Sequence, residues 1–137
     1  MIIMSVDYGD VRTGVAVCDK NEILASPVTV VTEKDADVLV KKIISLATER
    51  NVQMFVVGLP KNMDGSEGFR AQACKDFAAK LKEESGIEVD MYDERLTTVS
   101  AHNALNMTNT RGKKRKAVVD AVSAVMILDD YIASRKR

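Results

Sequence analysis

The stretch Met1-Ile2-Ile3-Met4-Ser5-Val6-Asp7-Tyr8-Gly9-Asp10-Val11-Arg12-Thr13-Gly14 sets an acid at the point where an apolar run gives out. A run so short and so apolar, stopped by Gly9, predicts a central strand covered on both faces. Asp7 then stands at the carboxyl end of a strand, the edge where α/β sheets hold ligands. Gly9 and Gly14 permit a tight reversal, and Val15-Ala16-Val17-Cys18 resumes strand character, which predicts a hairpin with Asp7 at its mouth. A carboxylate at such a place needs water, a cation or hydrogen-bond donors. The plainer role for it is a turn cap that accepts from nearby amides.

Working outward, residues 22–31 are β-rich, and Pro27 lacks the amide a ladder needs, so this strand belongs at an edge or carries a bulge. From Lys34 to Arg50, Val38, Leu39, Ile43, Leu46 and Ala47 recur at helical spacing, the pattern of an amphipathic crossover helix. Residues 52–58, Val-Gln-Met-Phe-Val-Val-Gly, form a second apolar run and predict the other central strand, parallel to the first. A loop from Leu59 to Ser66 leaves its carboxyl end and feeds a helix at about Glu67. Asp64 or Ser66 is the expected N-cap, and free amides behind a cap suit phosphate. The helix runs to about Ser85, with Phe69, Ala73, Phe77, Ala78 and Leu81 on its inner face, and Gly86 stops it. Ile87 to Tyr92 alternates as a half-exposed edge strand does. It ends in Asp93-Glu94-Arg95; period two puts Asp93 and Glu94 on opposite faces without saying which faces a site.

Leu96 to Val99 leads into a short helix through about Asn106 and a polar loop to Gly112. Five of the six residues from Arg111 to Lys116 are basic, which reads either as a solvated mobile loop or as phosphate-seeking charge one helical turn before Asp120. The last helix, about Arg115 to Ala133, carries Val118, Val122 and Val125 on one stripe and Ala124, Ile127 and Tyr131 on another. Asp120 falls on the second stripe, and an acid there needs a partner.

A chain of 137 residues suits one domain, residues 1–137, with a real core. At 46% hydrophobic and 29% charged it has the composition of an ordinary globular protein. Twenty basic residues balance twenty acidic ones, so any polyanion site must be a local patch. Cys18 and Cys74 show no metal or disulfide spacing and read as buried thiols in a reducing compartment. His102 reads as a surface or helix-face residue. No leader pattern precedes the first strand and no apolar stretch approaches membrane-spanning length, so a cytoplasmic protein without membrane contact is expected.

Asp7, the Asp93-Glu94 pair and Asp120 come from three separate segments. Like charges brought together repel unless a cation neutralises them, and an all-oxygen set without clustered His or Cys selects a hard ion, Mg²⁺ or its usual substitute Mn²⁺. Two such ions clamp a phosphodiester in many nucleases. The competing role for these acids is pairing with Arg12, Arg95 and nearby lysines.

Four motifs in order, Asp7-Tyr8-Gly9 with Arg12 and Gly14-Val15-Ala16, Val57-Gly58-Leu59-Pro60 with Met63-Asp64-Gly65-Ser66, Asp93-Glu94-Arg95-Leu96-Thr97-Thr98, and Val119-Asp120-Ala121 with Ile127-Leu128 and Tyr131, resemble the RuvX (YqgF) family of the ribonuclease H-like superfamily. The resemblance implies an α/β ribonuclease H-like fold, a mixed five-stranded sheet of order 3-2-1-4-5 flanked by helices. It implies a metal-dependent nuclease maturing the 5′ end of precursor 16S rRNA. Carried over, Asp7, Asp93, Glu94 and Asp120 become the catalytic, metal-binding acids. Arg12, Pro60, Asn62, Asp64, Gly65, Ser66 and Arg95 become substrate-holding candidates, beside the basic Lys113, Lys114, Arg115 and Lys116. The family usually carries Gln where this chain has Asp129, a departure expected to touch packing or partner contacts. Structured DNA such as a four-way junction is the alternative substrate, and a non-catalytic nucleic-acid-binding ribosome-maturation factor is the alternative function, motivated by the neutral net charge, only 4% aromatic residues for base stacking and the basic loop; a homodimer is compatible with either. A sugar-kinase-like reading of the first strand fails on length, since such enzymes need a second lobe.

Overall fold

The computed structural model describes residues 1–61, 64–94 and 112–135, with the backbone alone for 112–121. Within them run β1 (Ile3–Asp7), β2 (Arg12–Cys18), β3 (Ala25–Thr32), α1 (Ala36–Glu49), β4 (Met54–Leu59), α2 (Phe69–Ser85), β5 (Glu88–Asp93) and a last helix, here α3 (Gly112–Arg135). The strands make one sheet in the order β3-β2-β1-β4-β5. β2 runs antiparallel to both β1 and β3, while β4 runs parallel to β1 and β5 parallel to β4.

The two apolar runs are central because both of their faces are covered. Met4, Val6, Phe55 and Val57 point to a layer made by Leu39, Val40 and Ile43 of α1 and Phe77, Ala78 and Leu81 of α2. One residue out of phase, Ile3, Ala16 and Val56 meet Ala124, Leu128, Tyr131 and Ile132 of α3. A strand packed on two sides has no use for polar alternation, which is why the sequence shows none. Each large apolar side chain buried here contributes roughly 1.5–3 kcal/mol before the cost of ordering it.

The edges are as expected too. β3 is an outer strand, and its register slips where Val15 pairs with Thr29 but Ala16 with Pro27, a bulge beside the residue without an amide hydrogen. β5 is the other edge, with Glu88 and Asp90 exposed and Val89 half-buried between them. The Asp35 carboxylate caps α1 by accepting from the Asp37 and Val38 amides, and Gly86 ends α2 in the left-handed region at φ 69°.

The two later helices depart from expectation. α2 begins at Phe69 with Gly68 as its N-cap, and no side chain caps it, because the Asp64 carboxylate is occupied by the Ser66 amide and hydroxyl at 2.9 and 2.6 Å. Phe69 is not on the inner face but 89% exposed. The buried stripe runs through Ala71, Cys74, Ala78 and Leu81, and two residues before Ala71 the helix has turned by about 200°. In the last helix the backbone is already helical at Gly112, so Lys113 to Lys116 stand in its first turns and not in a loop. Of the two stripes expected on that helix, Ala124, Ile127 and Tyr131 are buried while Val122 and Val125 are half-buried. The short helix expected through residue 106, the loop after it and His102 lie outside the described residues.

Candidate active site

β1 ends with Asp7 on the α3 face, in phase with Ile3 and Ser5. Antiparallel pairing sets Gly14 of β2 opposite Asp7. On the other side Val6 pairs with Val57, so the next step along both strands brings Asp7 level with Gly58 of β4. Asp7 therefore stands between two glycines, one on each neighbouring strand. The reversal just beyond it is tight. A Cβ on Gly9 would collide with the Arg12 carbonyl, and the buried Thr13 hydroxyl accepts from the Gly9 amide at 3.2 Å.

The space over Gly58 is taken by Glu94. A Cβ built on Gly58 would lie 2.8 Å from Glu94 Oε1 and 2.8 Å from Ile127 Cδ1 of α3. Ile127 identifies this as the α3 face, so Glu94 lies on that face of the sheet. Glu94 shares the face of Asp90 and Tyr92 with Asp7, whereas Asp93 continues the phase of Val89 and Met91, which pack toward α1 and α2. Burial pushes the Glu94 carboxyl above the ordinary carboxylate range; the Arg70 guanidinium pulls it back, and Asp93 adds to the rise. A carboxylate so placed is held at a cost that a cation beside it would remove.

α3 passes over this edge. The buried Ser5 hydroxyl donates to the Ala124 carbonyl at 2.6 Å, and the helix continues toward the opposite edge, where Tyr131 donates to Asp90 at 2.7 Å and Arg135 meets Glu22 at 3.0 Å. Going back from Ala124 to residue 120 climbs about 6 Å along the helix. Going from Ser5 to Asp7 climbs about 6.6 Å along the strand. The backbone of Asp120 is thus level with Asp7, on the stripe that holds Ala124 and Ile127. Among the described residues no three His, Cys, Asp or Glu side chains converge as a metal site, a statement that does not include the Asp120 side chain.

Arg70, which no motif in the sequence singles out, stands in the middle of this edge. From the first turn of α2 it donates to the Tyr8 carbonyl and, at 2.8 Å, to Asp10 Oδ1. Its guanidinium lies 5.3 Å from the Tyr8 ring centre, and Tyr8 stacks on Phe77 at 4.5 Å. The loop that follows Asp7 is thereby pinned to α2. A signal is present in the sequence all the same: a cation in the first turn of a helix opposes the helix dipole, which calls for acids close by. Cys74, one turn on, has its thiol pushed up to about 11, chiefly by burial, with Arg70 opposing and Glu94, Asp7 and Asp10 adding. Those three acids all act on one buried atom.

The other expected site residues are less concentrated. Arg12 begins β2 on the face of Gly14 and Asp7, and Pro60, Asp64, Gly65 and Ser66 lie along the β4–α2 loop at the same edge, with Gly65 at φ 90°. Asn62 and Arg95 lie outside the described residues, as do the side chains of Lys113, Lys114, Arg115 and Lys116.

Known proteins match this arrangement over its whole length. The family model described as "RuvX: Holliday junction resolvase" matches residues 1–134. A protein of Rhodopirellula baltica bearing the provisional name pre-16S rRNA nuclease is 42% identical, over 95% of this chain and 75% of its own. One from Lachnospira eligens with the same name is 40% identical with both chains fully covered. Among solved structures, Thermus thermophilus RuvC in complex with a Holliday junction substrate superposes with TM-score 0.62 at 12% identity, covering 99% of this chain and 96% of that one. The fowlpox virus resolvase bound to junction DNA gives 0.57 at 13% identity with both chains fully covered. These two likenesses establish the fold.

Proposed function

The chain belongs to the RuvX family and is a nuclease, and from that premise we propose that it hydrolyses a phosphodiester at the 5′ end of precursor 16S rRNA, with Asp7, Glu94 and Asp120 holding Mg²⁺ or Mn²⁺. The observation that carries this reading is the Glu94 carboxylate seated on Gly58, on the same sheet face and edge as Asp7. The residues fit a hard cation: the donors are all oxygens, and a buried acid gains from a positive charge. Divalent ions bound there supply a water acidified enough to attack phosphorus and neutralise charge on the leaving oxygen.

The rest of the work falls to the chain. Glu94 is fixed between Gly58 and Ile127, and its direction is set before substrate arrives. Arg70 holds the Tyr8 carbonyl and so keeps the strand end that carries Asp7 from drifting. Asp93, on the other sheet face, raises the Glu94 carboxyl without sharing its position and acts through it. Arg12, Arg95, the 60–66 loop and the basic first turns of α3 take the flanking phosphates, which fix register and carry no sequence information.

Asp7→Asn tests the assignment, since it removes a charge while keeping the shape. It is expected to lower cleavage of a precursor rRNA fragment by roughly a hundred- to a thousandfold, as losses of a principal electrostatic group do, with an unchanged circular dichroism spectrum. Cleavage at the wild-type rate rejects the site. The family description favours a second substrate, branched DNA, and equal molarities of the rRNA fragment and a four-way junction decide between them. A wild-type protein that binds either one tightly, cuts neither in Mg²⁺ or Mn²⁺, and is indifferent to chelator is a binding factor instead.

A further inference from the structure

Phe69 is the most exposed of the large apolar side chains among the described residues. The chain has three Phe, three Tyr and no Trp, and the other five of these rings, Tyr8, Phe55, Phe77, Tyr92 and Tyr131, are buried or half-buried. A phenyl ring left in water gives up the stabilisation that its burial would bring. Its place is specific: it precedes Arg70, which grips the loop directly after Asp7. It also heads a helical stripe, Phe69, Ala73, Asp76 and Lys80, of which the last three line a cleft of about 210 Å³ between α1 and α2, with Tyr8 and Ala36 opposite.

We propose that Phe69 is the stacking platform for an unpaired base of the strand being cut, and that the strand continues from it into the α1–α2 cleft. This rests on the nuclease reading above. A strand whose phosphate sits at Asp7 and Glu94 must leave that edge, and on the α2 side it meets Arg70 and Phe69 first. Arg70 supplies positive charge for the backbone, and the ring supplies a face that any base can cover, which gives affinity without sequence preference. The cleft gives the following nucleotide somewhere to go, with Lys80, whose ammonium pairs with Asp37, and Asp76 in its lining.

Because the chain has no Trp, Phe69→Trp places a single indole fluorophore at the position. Titration with a short single-stranded RNA, in Ca²⁺ to hold off cleavage, is expected to quench its emission. The same strand carrying abasic sites, or a blunt duplex, is expected to quench it far less. Phe69→Ala and Phe69→Leu are expected to weaken binding of the single strand roughly 5- to 160-fold, the range measured for loss of one stacked base, while Phe69→Tyr binds as the wild type does. Three results overturn the proposal: Phe69→Ala binding and cleaving like the wild type, equal quenching by the abasic strand, or a blue shift of the indole emission that grows with protein concentration alone and so marks a second copy as the occupant. If the wild type neither binds nor cuts nucleic acid, the nuclease reading fails and takes this inference with it; a wild type that cuts while Phe69→Ala is unimpaired removes this inference only.

Discussion

Glu94 is the residue on which the electrostatics of this edge turn. Its carboxyl sits above the ordinary value of 4.5 because it is buried, and Asp93 contributes in the same direction. The folded state therefore prefers the protonated form. Stability from this group is fully present below pH 4.5 and is lost as pH rises through the folded value. In metal-free protein at neutral pH, Glu94→Gln is thus expected to melt higher than the wild type and to flatten the fall in melting temperature as pH rises above 4.5. Adding Mn²⁺ reverses the order, because only the wild type gains the full linkage to a bound cation. Scanning calorimetry with and without the ion reads both effects; a variant that melts lower than wild type in chelator contradicts the burial argument. None of this is legible in residues 93 and 94 alone, since period two separates them without saying which way either points. The deciding atoms are those of Ile127, in the last helix of the chain.

At the scale of elements, α2 does what its inner stripe does not announce. Its buried residues hold it to the sheet, and its first turn overhangs the carboxyl edge, where Arg70 ties it to the loop after β1. The Arg70–Asp10 pair is largely exposed and on its own adds little to stability. The effect of Arg70 is positional. Arg70→Lys keeps the charge but loses the planar fork that reaches both Tyr8 and Asp10, so it is expected to lower kcat about tenfold, as the slight misplacement of a reacting group does, with melting temperature and KM changed little. A rise in KM with kcat unchanged would mean that Arg70 contributes to binding alone and does not hold the strand end that carries Asp7. Strands and helices are legible in the sequence wherever one period dominates: the unbroken runs of β1 and β4, the alternation of β5, the heavy apolar stripe of α1. The start of α2 is not, because Asp64 and Ser66, both good caps, satisfy each other through a turn at Gly65. Phe69 misleads for a related reason: it is an apolar residue at a helix start, yet it lies across the helix from the stripe that begins at Ala71.

For the molecule as a whole, basic and acidic residues balance, so no long-range field draws a polyanion in, and affinity has to come from a few local contacts. Binding of a single-stranded RNA is expected to weaken with salt with a log–log slope of only about −2 to −4, corresponding to roughly three to six phosphates at the factor for single strands. A slope near about −8, measured by anisotropy between roughly 50 and 300 mM KCl, would mean a much broader electrostatic footprint. The fold is legible as a strand order, because hydrophobic period and crossover length constrain it together. The candidate site is legible as three acidic segments, but not as a geometry, because the seating of Glu94 on Gly58 and of Arg70 on Tyr8 depends on contacts between residues far apart in sequence.

The bond from Ser5 to the Ala124 carbonyl spans 119 residues, and its setting has a consequence during synthesis. Ile3, Ala16 and Val56 emerge early from the ribosome, yet the helix that covers them comes last. Until α3 is clear of the exit tunnel the nascent chain shows a bare apolar sheet face, open to aggregation and to the chaperones that guard against it, and only the arrival of that last helix closes it.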